Sequence, residues 1–458
     1  MQARVPTTGF GKRKLLAACV AAILCTFSPL ALPAVFVNNC NDSGAGSLRN
    51  AIGAAPTGQT IDLTRLEGVC STITLKSGEI VAAQKDLTIR GPGADKLTIS
   101  AKYNATQYYS RILNHTGTGL LYVQDVHLTR GYLRTNPAEG GCLYSAGKVT
   151  LRNAVISDCT ARATSATGGG VFARGLLTVK ESVLSGNVVH SGEDFGEGGG
   201  SASTGLRAYY SSFMGNSAIS TPAFRGYFGG AVSRDAETYI FNSTIGFNHT
   251  SHEGGGLGVQ VGTKVKIINS TISSNTADDG PIGAGYVEAN SILIANSTIA
   301  ANVANDAGRT AGLEINAIFS GASIVMQSTI LENNRYGAAS TDSDLAANIA
   351  ITGSNNLIQT STASVPSDTI TGKCAFLGSL QDNGGLTMTQ AVLGHSPAIN
   401  AGNNSFGASF DQRGQISVNG DGNYPRVSGS PPGTPRADIG AYEVNGADEI
   451  YDADFDSC

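Results

Sequence analysis

The stretch Asn242-Ser-Thr-Ile-Gly-Phe-Asn248 returns as Asn269-Ser-Thr-Ile-Ser-Ser-Asn275 and again as Asn296-Ser-Thr-Ile-Ala-Ala-Asn302, and this recurrence decides the fold. Looser copies flank it. Upstream stand Asn153-Ala-Val-Ile-Ser-Asp-Cys159, Glu181-Ser-Val-Leu-Ser-Gly-Asn187 and Tyr210-Ser-Ser-Phe-Met-Gly-Asn216; downstream stands Gln327-Ser-Thr-Ile-Leu-Glu-Asn333. The first residues of successive phrases are 28, 29, 32, 27, 27 and 31 apart. Self-similarity at such a period marks a solenoid, in which each repeat buries its apolar face only against its neighbours.

The rest of the repeat follows from its residues. An alternating stretch precedes the phrase, as in Val149-Thr-Leu151, Leu177-Thr-Val179, Val265-Lys-Ile267 and Ile292-Leu-Ile294. Alternation with period two predicts a strand with one buried face. The phrase supplies a second short strand. A glycine cluster follows, at 168–170, 198–200, 229–230, 254–256 and 283–285, and then a third apolar stretch such as Val171-Phe172. Three short strands per repeat predict an all-β, right-handed parallel β-helix. Its clearest coils lie between 147 and 335, and Thr72-Ile-Thr-Leu75, Leu87-Thr-Ile89, Leu97-Thr-Ile99 and Leu121-Tyr-Val123 read as earlier ones.

The phrase-final residues Asn187, Asn216, Asn248, Asn275, Asn302 and Asn333 are expected to stack as a side-chain amide ladder and to tolerate left-handed backbone at a bend. Cys159 holds that position in the first phrase. The Asn-Ser-Thr runs also match a glycosylation acceptor, but their recurrence at the coil period favours the ladder. The glycine clusters precede strands, not helices, so they are not phosphate loops.

Composition agrees. Charged residues are 14%, glycines number 59 and tryptophan is absent. Such a chain suits short stacked strands and tight turns rather than helices. The net charge of −5 and the lack of a basic run beyond the N-terminus predict no nucleic-acid partner.

Residues 1–34 read as a secretory signal. Arg4, Lys12, Arg13 and Lys14 precede an apolar stretch from Leu15 to Leu32, with Ala34 as the cleavage residue. The alternatives are an uncleaved anchor, for which the span is short, and a lipoprotein using Leu16-Ala17-Ala18-Cys19. Cleavage leaves Cys40, Cys70, Cys142, Cys159, Cys374 and Cys458. Cysteines in an exported chain predict disulfides, and the wide spacings do not resemble zinc motifs. The expected pairs are Cys40–Cys70, Cys142–Cys159 and, as the remainder, Cys374–Cys458, although spacing leaves other pairings open. The expected organisation is an N-terminal cap over 35–71 with helical turns at Ser47-Leu-Arg-Asn-Ala-Ile52, a β-helix over 72–373, an irregular C-terminal cap over 374–446, and an acidic tail over 447–458.

Several segments carry a family resemblance. Cys40-Asn-Asp-Ser-Gly-Ala-Gly-Ser-Leu-Arg49, Leu87-Thr-Ile-Arg-Gly-Pro-Gly-Ala94, Leu380-Gln-Asp-Asn-Gly-Gly385, Ser396-Pro-Ala-Ile-Asn-Ala-Gly402, Asp411-Gln-Arg-Gly414 and Asp438-Ile-Gly-Ala-Tyr-Glu443 occur in this order. Together they resemble bacterial exported β-helix proteins of the choice-of-anchor Q type, over about residues 37–443. The resemblance implies an exported or surface-displayed β-helix and no defined reaction. The ending Ala447-Asp-Glu-Ile-Tyr-Asp-Ala-Asp-Phe-Asp-Ser-Cys458 departs from that family's apolar anchor. Phe213-Met-Gly-Asn216 with Gly229-Gly-Ala-Val232 is similar to the repeats of polymorphic membrane adhesins.

The β-helix also hosts pectate lyases and polygalacturonases, so an enzyme must be weighed. Asp278 and Asp279 are an adjacent carboxylate pair of the kind a hydrolase needs, but the Gly-His-Gly and Arg-Ile-Lys elements of polygalacturonases are missing. Glu193, Asp194 and Glu197, with His249, His252 and Glu253, are expected in one inter-strand loop on neighbouring coils, where a lyase could hold calcium. Asn419, Asp421 and Asn423 resemble half of a calcium loop. Against each stands a solvated loop. The expectation is therefore an exported, monomeric structural or adhesive protein that binds polysaccharide or a cell surface, without a cofactor unless calcium. It has no membrane span after signal cleavage. The alternative is a lyase or glycosidase acting on acidic polysaccharide.

Overall fold

The structure is a computed structural model that describes residues 32–101, 110–192, 194–221, 226–306, 308–337, 341–414, 424–426 and 436–444. It is an all-β, right-handed parallel β-helix with, among the described residues, one short α-helix. The phrase strands form a twelve-stranded sheet, and the strands before and after them form sheets of eighteen, nine and four strands. Strands separated by one repeat pair in parallel, so the twelve- and eighteen-stranded sheets run along the whole solenoid, while the nine- and four-stranded sheets begin at Tyr132 and Ala138. The fourth phrase residue points inward. Ile156, Leu184, Phe213, Ile245, Ile272 and Ile299 lie in register and are all fully buried. Stacked like with like, such columns leave few voids, and each side chain contributes about 2 kcal/mol of burial.

The amide ladder is present. The N–H of Cys159 donates to Asn187 Oδ1 at 3.1 Å, and those of Asn187, Asn216, Asn248 and Asn275 donate to the Oδ1 of the next coil's asparagine at 2.9–3.0 Å. Each Nδ2 also reaches back, as Asn248 Nδ2 does to Phe213 O at 2.9 Å. The ladder buries polar groups with their bonds made. The glycine clusters answer it: a Cβ on Gly170, Gly200, Gly230 or Gly256 would come within 2.9–3.0 Å of the asparagine side chain of its own coil's phrase, at 187, 216, 248 or 275.

Two expectations are corrected here. The last rung is Asn334, not Asn333: Asn302 N–H donates to Asn334 Oδ1 at 3.2 Å, and Asn334 N–H passes to Asp344 Oδ1 at 3.0 Å. The cause is one extra residue in the seventh repeat, which pairs Thr298 with Ile330 and makes Leu331, not Ile330, the inward residue. The ladder asparagines are also not left-handed. That conformation belongs to the residue before each, including Asp158, Phe247, Ser274, Ala301 and Asn333, and to the first phrase residue, including Asn153, Asn242, Asn269 and Asn296. The short side chains of Asn and Asp lower its steric cost.

A second ladder went unread in the sequence. The N–H groups of Ala154, Ser182, Ser211, Ser243 and Ser270 donate to the hydroxyls of Ser182, Ser211, Ser243, Ser270 and Ser297 at 3.0–3.3 Å.

Parallel pairing starts inside the segment expected as cap, since Val35–Phe36 pairs with Gln59–Asp62 and that strand with Leu87–Arg90. The helix Leu48–Ala54 is capped by the Ser47 side chain and buries Leu48, Ala51 and Ile52 against the end of the core. Cys40–Cys70 and Cys142–Cys159 are disulfides, and Cys374 is disulfide-bonded. Its expected partner Cys458, the acidic tail and the residues of the expected signal before 32 lie outside the described residues. Among the described residues, no helix is long and apolar enough to cross a membrane.

The C-terminal region does more than close the end. It runs back along the twelve-stranded sheet. Asn355 Nδ2 donates to Ala401 O, Ser328 Oγ to Asn403 O, Asn269 Nδ2 to Phe410 O, and Asn242 Nδ2 to Asp411 O, at 2.9–3.0 Å. Gln412 is held between Thr244 and Thr271, and the Thr298 hydroxyl accepts from Ala441 N–H. Most of the Asn-Ser-Thr spelling of the middle phrases is thus explained: Ser builds the inner ladder, while Asn242, Asn269, Thr244, Thr271 and Thr298 bond the cover. Arg413 is fully buried, sandwiched between the rings of Tyr424 and Tyr442 at 3.7 and 3.8 Å and bonded to Asp411 at 2.8 and 2.9 Å.

Two predictions follow from these contacts. Asn248→Ala leaves the Asn216 N–H and amide buried without their acceptor, and lowers stability by about 3 kcal/mol in urea unfolding. Glu332 accepts from Ala375 N–H at the start of the cover, and burial pushes its carboxyl up from 4.5 to about 7. Its folded value exceeds its unfolded one, so its stabilising contribution is full below about pH 4.5 and lost as pH rises through about 7. Glu332→Gln therefore flattens the fall in melting temperature between about pH 5 and pH 8.

Candidate carbohydrate-binding faces

The loop carboxylates do not assemble into one site. Asp194 and Asp279 are exposed, and Glu193, Asn419, Asp421 and Asn423 lie outside the described residues. The coil Ser217–Tyr227 separates the 194–197 loop from the 249–253 loop, so these are not on neighbouring coils as expected. His249 and Asp278 do meet, across adjacent coils, at 2.8 Å. His252 stands 3.9 Å from Glu253 and packs edge-on against Tyr227. Glu197 pairs with Arg234, and Arg309 lies 3.8 Å from Glu253 and pairs with Glu314. Asp278, Glu197 and Glu253 are thus engaged by side chains of other coils. Among the described residues, no three His, Cys, Asp or Glu side chains group so as to hold a metal.

What the coils do gather is aromatic. The outer face of the eighteen-stranded sheet carries two columns, separated by register breaks at 173–176 and 259–262. The first runs in register through Asn114, Tyr144, Phe172, Ala202, Val232, Gly258, Tyr286 and Glu314. Tyr144 stacks on Phe172 with ring centroids 5.8 Å apart. The small residues in the middle make room for Phe228, whose ring lies where a Cβ on Gly258 would stand. Phe195, 54% exposed, stacks on Tyr227 at 6.0 Å. Every arginine beside this column has a carboxylate: Arg111 with Glu79, Arg174 with Glu139, Arg234 with Glu197, and Arg309 with Glu314.

The second column differs in charge. One row runs through Arg90, Gln124, Arg152, Lys180, Tyr209 and Phe241, and the next through Tyr122, Thr150, Thr178, Arg207, Tyr239 and Lys266. Tyr209 and Phe241 stack almost parallel at 5.6 Å. Lys180 lies over Tyr209 at 5.7 Å, and Arg207 and Lys266 flank Tyr239 at 5.4 and 5.8 Å. Each cation–π contact at such a surface is worth about 0.5–1 kcal/mol and fixes the ring's orientation. Two ion pairs here are long, Arg90–Asp62 at 4.0 Å and Arg152–Glu181 at 3.7 Å, while Arg207 is hydrogen-bonded to Glu237 at 3.2 Å. Hydrogen bonds from Tyr239 and then Arg207 hold Glu237 below the usual carboxylate range, so it stays charged. Lys148, Lys180, Lys264 and Lys266 stand outside these pairs among the described residues. A chain of net charge −5 thus carries an excess of positive charge on one strip.

No family model matches the chain, and no curated protein matches it. One solved structure that it resembles is the crystal structure of pectate lyase Pel9A, at 14% identity and a TM-score of 0.46, covering 90% of this chain and 98% of that one.

These rings are not among the carboxylate and histidine residues singled out in the sequence. The signal was present, as outward positions of alternating strands such as Thr238-Tyr-Ile-Phe241. It becomes a site only when register aligns the coils.

Proposed function

We propose that this chain is an exported, non-catalytic β-helix protein that binds an acidic polysaccharide along the second outer column. The observation that carries this reading is the in-register strip of Lys180, Arg207, Lys266, Tyr209, Tyr239 and Phe241 on a chain of net negative charge. Aromatic faces offer flat apolar partners to the CH faces of sugar rings, and the lysines and arginines meet carboxylates or sulfates along the same chain. Coils recur about every 4.8 Å, so the strip presents its cations at a spacing comparable to one sugar. An extended polymer then gains from many weak contacts held at once.

Export fits the disulfides, which persist in oxidising compartments. It also fits the basic and apolar N-terminus and the resemblance to choice-of-anchor Q proteins. On this reading the protein serves a surface or adhesive role, with the polysaccharide as ligand rather than substrate.

The test is calorimetric titration with polygalacturonate and alginate, with and without calcium, followed by assay for unsaturated sugar products. Binding without product release is expected. It should weaken about tenfold or more in Lys180→Ala/Arg207→Ala, and fall with salt as screening predicts. Release of unsaturated sugars would replace this reading with a lyase.

A further inference from the structure

One carboxylate of the second outer column stands in the middle of its cations. Glu237 lies two residues before Tyr239, and the strand between them alternates, with Thr238 and Ile240 buried inward. Glu237 therefore shares the outward face with Tyr239. Thr238 pairs with Leu206 of the coil before and with Val265 of the coil after, which puts Lys264 next to Glu237. Arg207 reaches it from the coil before, where Nη2 donates to Glu237 Oε2 at 3.2 Å. The Tyr239 hydroxyl donates to it as well, and the Lys264 charge acts on it. The same Arg207 guanidinium lies 5.4 Å over the Tyr239 ring. A guanidinium, a phenol and an ammonium thus surround one carboxylate, and these are the donors that an acidic group on a sugar needs.

The hold on Glu237 is loose. The Arg207 and Glu237 side chains are 38% and 41% exposed. One guanidinium N–H makes the bond, and Arg207 Nε has no acceptor among the described residues. An exposed pair of this kind is worth about two- to fivefold in an equilibrium constant. A carboxylate on a polymer already held by the rest of the strip arrives at high local concentration and can engage two N–H groups at once.

We propose that Arg207, Tyr239 and Lys264 form the subsite for one acidic group of the bound polysaccharide, and that Glu237 is its resident competitor, displaced when the ligand binds. This rests on the reading that the second column binds acidic polysaccharide. Glu237 acts through Arg207 rather than on the sugar, and it sets how tightly the strip holds its ligand. Because the Tyr239 and Arg207 hydrogen bonds hold its carboxyl below the usual range, Glu237 is still charged wherever a sugar carboxylate is, and competes with it.

The experiment titrates the full chain calorimetrically with a galacturonate hexasaccharide, comparing the parent with Glu237→Gln and Glu237→Asp. Glu237→Gln keeps the size of the side chain and removes its charge, and is expected to bind about two- to fivefold tighter, with a gain that shrinks as salt rises. Glu237→Asp keeps the charge and is expected to stay within about twofold of the parent. A crystal structure of the parent with the hexasaccharide should show sugar carboxylate oxygens on Arg207, with Glu237 turned away. A parent that binds while Glu237→Gln binds no tighter, or a complex that keeps the Arg207–Glu237 bond, would overturn the competitor and leave the proposed function standing. Lack of binding by both the parent and Glu237→Gln would overturn the proposed function and this subsite with it.

Discussion

The structure depends on one repeated hydrogen bond, from the backbone N–H of a ladder residue to the side-chain carbonyl of the asparagine one coil on. From Cys159 to Asn334 this bond recurs without a gap. It is buried, so losing any rung leaves a donor or acceptor dry. A slip of one residue would break every rung and turn the inward column of isoleucines outward. Register is therefore fixed coil by coil, even where loop lengths vary.

Everything that resembles a site follows from that register. The glycines opposite the ladder let the backbone approach the amides, so they serve stacking rather than ligands. The left-handed residues before the asparagines turn the corner. Once the inside is fixed, the outward positions are free to differ, and they do. The twelve-stranded sheet spends Asn242, Asn269, Thr244, Thr271 and Thr298 on the C-terminal cover. The eighteen-stranded sheet shows one column of paired charge with aromatic rings, and another of excess positive charge with aromatic rings.

The fold was legible because the ladder must be spelled the same way at each coil, which repeats the sequence. The seventh repeat misled because Gln327-Ser-Thr-Ile fits the phrase by letter, while pairing places Ser328 at the bend and Thr329 at the inner serine position. Asp411-Gln-Arg-Gly414 was visible as a motif, but its work was not: Arg413 takes its carboxylate from Asp411 inside the motif, and its rings from Tyr424 and Tyr442 further along the chain. The aromatic columns were hidden for a related reason. Tyr209 and Phe241 are 32 residues apart and mean little until paired strands stack their rings. Carboxylate pairs such as Asp278-Asp279 drew notice because they are adjacent in the chain, yet Asp278 meets His249 and Asp279 is exposed.

The most direct measurement is a crystal structure of the chain with an acidic hexasaccharide. The account predicts sugar rings lying across coils on Tyr209, Tyr239 and Phe241, with their acidic groups toward Lys180, Arg207 and Lys266. Oligosaccharide seated instead among His249, His252, Glu253 and Asp278, with the cationic column bare, would contradict it.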